Sequence, residues 1–231
     1  MISSYYELVK PRMVLMNVLV AVAVFIFASP EVISWEALSV MASGLAFVVA
    51  SACVFNNYAD RHLDAKMERT KNRGLVTGAV TPAHALVFGG ALLVCGVLLL
   101  YTVHPLALGV ALFGFAVYVF VYTPLKPKTG YALYVGAVAG AAPPLVGYAA
   151  AAHTLDYMAL ALFALLFLWQ VPHFLAIARY RYDEYSAGGV PLLVERPKSA
   201  EERQRARTIF YLSLLVLLLF CLILIVQRWI K

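Results

Sequence analysis

Charged residues are scarce in this sequence. Only 13% of its 231 residues are Asp, Glu, Lys or Arg, whereas 63% are hydrophobic, and the mean hydropathy is +0.84. A chain of this length is far too apolar for a soluble domain. The composition therefore excludes a soluble enzyme and a nucleic-acid-binding module, and it predicts an all-α, polytopic transmembrane helical bundle.

Cysteine is scarce too. Cys53, Cys95 and Cys221 lie in apolar runs without CxxC spacing, which excludes a disulfide framework and predicts small buried side chains. A cleavable signal is also missing, because Lys10 and Arg12 precede an apolar run that no small-residue cleavage site follows. We therefore expect no cleaved leader.

Apolar segments long enough to cross a bilayer, with allowance for tilt, recur along the chain. There is no low-complexity stretch and no separate soluble domain between them. We expect a single intramembrane domain, residues 1–231, with seven spans at about 13–29, 37–59, 83–103, 106–123, 131–152, 157–178 and 208–227.

Basic residues are concentrated on one side of this predicted topology. If the N-terminus is cytoplasmic, sixteen of the eighteen Lys and Arg residues face the cytoplasm, and only Arg228 and Lys231 fall outside. The positive-inside rule therefore predicts a cytoplasmic N-terminus. The candidate functional residues then all lie at the cytoplasmic ends of the spans.

The stretch NNYADRHLDAKMERTKNRGL follows the second span. Asn56, Asp60 and Asp64 recur every fourth residue, so a helix places them on one face. Two carboxylates and an amide oxygen suit Mg²⁺, which shares oxygen ligands with substrate phosphates. The alternative is a solvated acidic turn paired with Arg61 and Lys66, but acids at the membrane are rare without a role. We therefore predict a metal-bridged diphosphate site.

Nearby basic residues suit the phosphate charge. Tyr118 and Tyr122 precede the last of them and either contact the ligand through a hydroxyl or ring face or belong to the interfacial aromatic belt. The positive-inside rule by itself explains Lys10, Arg12 and Lys128. The predicted diphosphate-binding residues are Arg69, Lys71, Arg73 and Lys126.

A second acidic candidate follows the sixth span, in RYDEYSAGGVPLL. Asp183 either holds a second metal ion, or orients the first, or forms an ion pair with Arg179 or Arg181. A surface ion pair of that kind contributes little to stability. The position of Asp183 on the predicted cytoplasmic side favours the metal role.

The segment LWQVPHF lies near the cytoplasmic end of the sixth span. Pro172 is expected to kink that helix, and Trp169, Gln170 and His173 are predicted to share one face. This polar cluster either binds a polar group of a ligand or a metal, or forms an interhelical hydrogen bond.

Six sequence blocks together resemble the intramembrane prenyltransferase superfamily that includes the ubiquinone-pathway 4-hydroxybenzoate enzymes. The blocks are KPRMVLMN, ASACVFNNYADRHLDAKMERTKNRGL, YTPLKPKT, GAVAGAAPPLVGY, LFLWQVPHF and RYDEYSAGGVPLL, and they cover essentially the whole chain. Asn57, where other branches have an acid, and LWQVPHF make the chain most similar to the heme-farnesylating branch.

This resemblance implies that a farnesyl group passes from farnesyl diphosphate to a vinyl group of heme b. Mg²⁺ is the implied metal, held by Asn56, Asp60 and Asp64 with support from Asp183. The implied partners are the lipid bilayer and a heme A synthase or terminal oxidase subunits, in a cell or mitochondrial inner membrane with the site facing the cytoplasm or matrix. The acceptor would be bound by Trp169, Gln170, His173 and Tyr122.

Two departures from the family accompany the resemblance. The family usually has nine membrane helices, so a chain of seven would lack the last two. Arg179 stands where the first acid of the second family motif falls. Alternatives are a quinone-precursor or chlorin-type acceptor, and a non-catalytic heme-handling protein or transporter.

Overall fold

The structure, a computed structural model, describes residues 2–230, so Lys231 lies outside the described residues. Within residues 2–230, seven helical segments are long and apolar enough to cross a membrane, which confirms the seven predicted spans. No strand occurs among residues 2–230. The α-helices are α1 (Ile2–Leu8), α2 (Pro11–Ala28), α3 (Trp35–Asp64), α4 (Gly74–Thr77), α5 (Pro82–Val103), α6 (Pro105–Ala116), α7 (Thr123–Leu125), α8 (Ala132–Gly140), α9 (Ala142–Ala152), α10 (Tyr157–Tyr180), α11 (Tyr182–Ala187) and α12 (Ala200–Ile230).

Side-chain caps and prolines set where several spans begin. The Ser34 hydroxyl accepts a hydrogen bond from the amide of Ala37 at the start of α3. Asp156 accepts from the amides of Met158 and Ala159 at the start of α10. These bonds satisfy N–H groups that have no partner within the helix.

Two spans are interrupted. A π-helical segment, Val117–Tyr122, joins α6 to α7 within the span Pro105–Leu125. The span Ala132–Ala152 breaks at Ala141, between α8 and α9. Single π-helical turns within α-helices are frequent at functional sites, and this one carries two tyrosines of the cavity described below.

The core of the bundle forms where α2 and α9 cross. Each contacts the other, α2 also packs on α3 and α12, and α9 also packs on α6. Gly147 of α9 lies against the backbone carbonyl of Ala21 of α2, so the two helices approach closely. By contrast, only 17% of the most apolar stretch of α12 is buried, which suits a helix facing lipid.

Four helix ends and their connections meet at one end of the bundle. Lys126, just after α7, contacts Asp60 of α3 at 2.7 Å. Arg69, between α3 and α4, contacts Glu184 of α11 at 3.3 Å. The fold thereby brings together the motifs that follow the second, fourth and sixth spans.

Candidate active site

Three oxygen-bearing side chains form the floor of the site. Helix α3 extends through Asp64, and Asn56, Asp60 and Asp64 are 2%, 3% and 2% exposed. The Asn56 amide Nδ2 donates to Asp60 Oδ2 at 3.1 Å. The three residues therefore share one buried face, as their spacing predicts, and are not the solvated turn of the alternative.

A cation from a separate segment contacts each of these oxygen groups. Lys10 donates to Asn56 Oδ1 at 2.6 Å, and Lys126 donates to Asp60 Oδ2 at 2.7 Å. The third contact is an ion pair of 2.6 Å between Arg73 Nη1 and Asp64 Oδ2. These cations provide positive charge for an anion.

Arg73 also ties the site to the N-terminal segment. Its Nη1 donates to Asn57 Oδ1 at 2.9 Å, and Asn57 Nδ2 donates to the carbonyl of Leu8 at 2.8 Å. Lys10 then takes a left-handed backbone conformation, with φ of 50°, between α1 and α2. This chain of contacts holds the Lys10 ammonium over α3.

The floor and the cations enclose a cavity of about 180 Å³. Organic ligands of drug size fill about 300–1,000 Å³, so this space suits a small anion and a metal ion rather than an isoprenoid chain. Tyr118 and Tyr122 line it with their rings stacked, 5.2 Å between centroids. The lining residues are Lys10, Asn56, Asp60, Asp64, Met67, Arg69, Arg73, Tyr118, Tyr122, Lys126 and Tyr185.

The cations of the cavity differ in their electrostatic surroundings. Burial lowers the pKa of Lys10 to about 8, and the positive charges of Arg73 and Lys126 act in the same direction. Burial also acts to lower the pKa of Lys126, but Tyr122 and the ion pair with Asp60 outweigh it and raise that pKa. Lys10 is thus a buried cation whose hydrogen-bond partner is a neutral amide, and an incoming anion would stabilise its charge.

The oxygen atoms of Asn56, Asp60 and Asp64 fit Mg²⁺ only if a substrate supplies further oxygen ligands. Among residues 2–230, no group of three or more His, Cys, Asp or Glu side chains is placed to hold a metal ion. Asp60 and Asp64 with the Asn56 amide nevertheless supply three buried oxygen groups. Mg²⁺ commonly uses one or two carboxylates together with water and substrate phosphates, so this set matches a metal–diphosphate pair.

The predicted diphosphate-binding residues divide into two groups. Arg69, Arg73 and Lys126 line the cavity. Lys71 does not, and it forms an exposed ion pair of 2.6 Å with Glu68. Its position gives no support to a diphosphate role.

Asp183 lies outside this cavity. Its carboxylate contacts Arg196 at 2.9 Å and also Arg203, and its side chain is 42% exposed. The hydrogen bond from Arg203 holds the pKa of Asp183 below its usual value. The structure therefore places Asp183 in an ion-pair cluster with Arg196 and Arg203 instead of Arg179 or Arg181, and does not bring it to Asp60 and Asp64.

The predicted acceptor residues of α10 also lie away from the cavity. Trp169 and His173 stack at 4.9 Å, and both contact Ser213 of α12, at 3.1 Å and 2.7 Å. Gln170 instead contacts the Leu166 carbonyl at 3.3 Å and lies against Gly140 of α8. The cluster therefore divides between two neighbouring helices, since Trp169 and His173 contact α12 whereas Gln170 lies against α8.

Three residues on the cavity side are not predicted as site residues by the sequence. The positive-inside rule by itself explains Lys10, and no pattern singles out Tyr185. Thr123 Oγ1 accepts from Asn56 Nδ2 at 3.1 Å and donates to the Tyr118 carbonyl at 2.8 Å. The only available signal was proximity in sequence to motifs already recognised, namely YTPLKPKT for Thr123 and RYDEYSAGG for Tyr185.

Comparisons with known proteins show which family this arrangement resembles. The model of the UbiA prenyltransferase family matches residues 15–230. A protoheme IX farnesyltransferase of Protochlamydia amoebophila is 44% identical over 84% of this chain and 69% of that protein. The protein of the same name from Edwardsiella ictaluri is 43% identical over 84% of this chain and 66% of that protein. The chain thus spans about two thirds of the length of these curated relatives.

Solved structures share the fold. A UbiA homolog from Archaeoglobus fulgidus bound to DMAPP and Mg²⁺ is similar with a TM-score of 0.74, at 16% identity over 98% of this chain and 85% of that chain. The same homolog bound to GPP and Mg²⁺ gives a TM-score of 0.70, at 16% identity over 98% of this chain and 85% of that chain. At this identity the likeness concerns the fold alone.

Proposed function

This chain belongs to the UbiA prenyltransferase family, and from that premise we propose that it transfers a farnesyl group from farnesyl diphosphate to a vinyl group of heme b, which gives heme O. The relatives named protoheme IX farnesyltransferase, at 44% and 43% identity, are the observation that carries this proposal. The buried, cation-rimmed carboxylate cavity supplies the chemistry that such a transfer needs.

The small cavity is the proposed diphosphate site. Asn56, Asp60 and Asp64 would hold Mg²⁺, which supplies positive charge to the leaving diphosphate when it is bound. Arg73 and Lys126 exchange their carboxylate partners for phosphate oxygens, and the ammonium of Lys10 and the guanidinium of Arg69 add further donors. Solved family members with a prenyl diphosphate and Mg²⁺ support this assignment.

These residues favour breakage of the bond between C1 of the farnesyl group and the diphosphate oxygen. The lysines and arginines stabilise the negative charge that builds on the leaving group. The stacked rings of Tyr118 and Tyr122 present their faces where positive charge develops on C1. The farnesyl tail extends into the apolar bundle, where water that would quench the cation is excluded. A heme vinyl carbon then bonds to C1, and water adds to the adjacent carbon with loss of a proton.

The setting of the reaction is part of the proposal. The seven spans make the chain an integral membrane protein. We place the active site on the cytoplasmic or matrix side of a cell or mitochondrial inner membrane, because that side carries nearly all the basic residues. The product would pass to a heme A synthase or to terminal oxidase subunits.

Mass spectrometry of purified protein with heme b, farnesyl diphosphate and Mg²⁺ tests the proposal. We expect farnesylated heme from the wild type and at least about a hundredfold less from Asp64→Asn, because the variant loses a carboxylate charge at the metal–diphosphate site. Asp156→Asn is the matched control, since Asp156 caps α10 at the opposite end of the bundle. Equal product from Asp64→Asn would refute the site. A prenylated quinone precursor, with no prenylated heme, would refute the acceptor.

A further inference from the structure

A second cavity, of about 980 Å³, opens at the same end of the bundle. The end of α10, α11, residues 196–199 and the first turns of α12 surround it. Its charged lining consists of Arg181, Arg196, Lys198, Arg203, Arg207 and Glu184. Five cations against one carboxylate make this a concave, strongly positive site.

Two of these cations form no side-chain ion pair among residues 2–230, although the Lys198 amide donates a hydrogen bond to the nearby Glu202 carboxylate at 3.1 Å. Arg181 forms an ion pair with Glu184 at 3.0 Å. Arg196 and Arg203 both pair with Asp183. Lys198 and Arg207 form no ion pair with any carboxylate of residues 2–230, and Arg207 lies over the ring of Tyr211 at 5.7 Å. The positive-inside rule accounts for basic residues on this side, but it does not require two unpaired cations around one cavity.

Aromatic rings lead from this cavity into the bundle. Tyr180 lines the cavity and contacts Phe210 at 5.7 Å between ring centroids. Phe210 contacts His173 at 5.1 Å, and His173 stacks on Trp169 at 4.9 Å. These rings pack α10 against α12, while the rings of Tyr180 and Tyr211 line the cavity and are available to a flat apolar ligand.

Only one short helix separates the two cavities. Glu184 of α11 lines the large cavity and contacts Arg69, which lines the small one, at 3.3 Å. The next residue, Tyr185, lines the small cavity. Ligands in the two cavities would therefore lie about one helix diameter, ~10 Å, apart.

We propose that the large cavity binds the two propionate carboxylates of the acceptor porphyrin. Lys198 and Arg207 pair with the carboxylates, and the macrocycle lies against the rings of Tyr180 and Tyr211, which line the cavity. This inference rests on the proposed function, which supplies a flat acceptor with two carboxylates.

Heme binding without farnesyl diphosphate or Mg²⁺ tests this inference. Soret absorbance titrations would compare heme b with its dimethyl ester, in which both propionates are neutral, using full-length protein in phosphatidylcholine nanodiscs. We expect heme b to bind the wild type about tenfold more tightly than the ester. Combined Lys198→Gln and Arg207→Gln should remove that difference and leave the affinity for the ester unchanged.

Arg205→Gln is the matched control, because Arg205 lies on the same helix, pairs with Glu201 at 2.6 Å and does not line the cavity. Equal binding of heme b and its ester by the wild type would overturn the inference. So would a loss of heme b and ester affinity by the same factor in the double variant. If phosphatidylglycerol in the discs erases the difference between wild type and variant, a lipid headgroup occupies the cavity and the inference is again overturned.

The two proposals fail in distinguishable ways. Tight, propionate-dependent heme binding with no farnesylated product would refute the transferase and leave the carboxylate site standing. Farnesylated product formed equally well from heme b and from its dimethyl ester would refute the carboxylate site and leave the transferase standing.

Discussion

At the scale of single residues, the site depends on side chains that orient other side chains. Thr123 shows this clearly, because its hydroxyl accepts a hydrogen bond from the Asn56 amide and donates one to the Tyr118 carbonyl in the π-helical segment. With Nδ2 of Asn56 held by Thr123 and Asp60, Oδ1 is left facing Lys10. Thr123 therefore acts as a positioning residue for the proposed metal site.

We predict that Thr123→Val lowers farnesyl transfer about tenfold and raises the Mg²⁺ concentration for half-maximal rate, because Val has nearly the same shape but no hydroxyl. Thr123→Ser keeps the hydroxyl and should restore both quantities to near the wild-type values. Initial rates over a series of Mg²⁺ concentrations give the comparison. A Val variant with wild-type Mg²⁺ dependence would show that the hydroxyl does not orient Asn56.

At the scale of helices, small residues decide how near two spans approach. A Cβ added at Gly147 of α9 would overlap the backbone carbonyl of Ala21 in α2. A backbone atom cannot move away from the added Cβ as the end of a flexible side chain can. These two helices form the centre of the bundle, and α2 also contacts α3, which carries the floor of the site.

We therefore predict that Gly147→Ala lowers the free energy of unfolding by about 1–3 kcal/mol, the usual cost of overfilling a packed interface. The matched control is Gly109→Ala, because a Cβ there meets nothing within 4 Å; its stability should change by less than about 1 kcal/mol. Thermal unfolding in detergent measures both. Equal melting temperatures for the two variants would contradict the close α2–α9 contact.

At the scale of the whole molecule, all the proposed chemistry lies at one end of the bundle. Both cavities open there, on either side of α11. The opposite end carries His104 and His153 with their rings stacked at 4.5 Å, and no proposed ligand contacts them. Both candidate sites thus lie at one end of the bundle, and the positive-inside rule predicts that this end faces the cytoplasm.

This orientation predicts a labelling pattern in intact cells. Glu195→Cys should react with a membrane-impermeant maleimide only after permeabilisation, whereas Thr154→Cys should react in intact cells, because the two exposed residues lie at opposite ends of the bundle. The wild type is the blank, since Cys53 and Cys221 are buried and Cys95 lies within a span. The reverse pattern would place the active site on the outer side.

Local patterns were sufficient to predict the spans and the floor of the site. The hydrophobic runs of 20 or so residues follow from bilayer thickness, and each is visible within one stretch of sequence. Asn56, Asp60 and Asp64 share a face because the helical period brings every fourth residue together. These features depend on neighbours in sequence, so the sequence alone determined them.

Contacts between distant residues were decided only by the tertiary structure. Lys10 reaches Asn56 across 46 positions, and Lys126 reaches Asp60 across 66; no local period predicts either contact. Asp183 has the chemistry of a metal ligand, yet Arg196 and Arg203 hold it in a separate cluster. Helix packing decides which end groups meet, because charges at the end of one span have several possible partners until the bundle has formed.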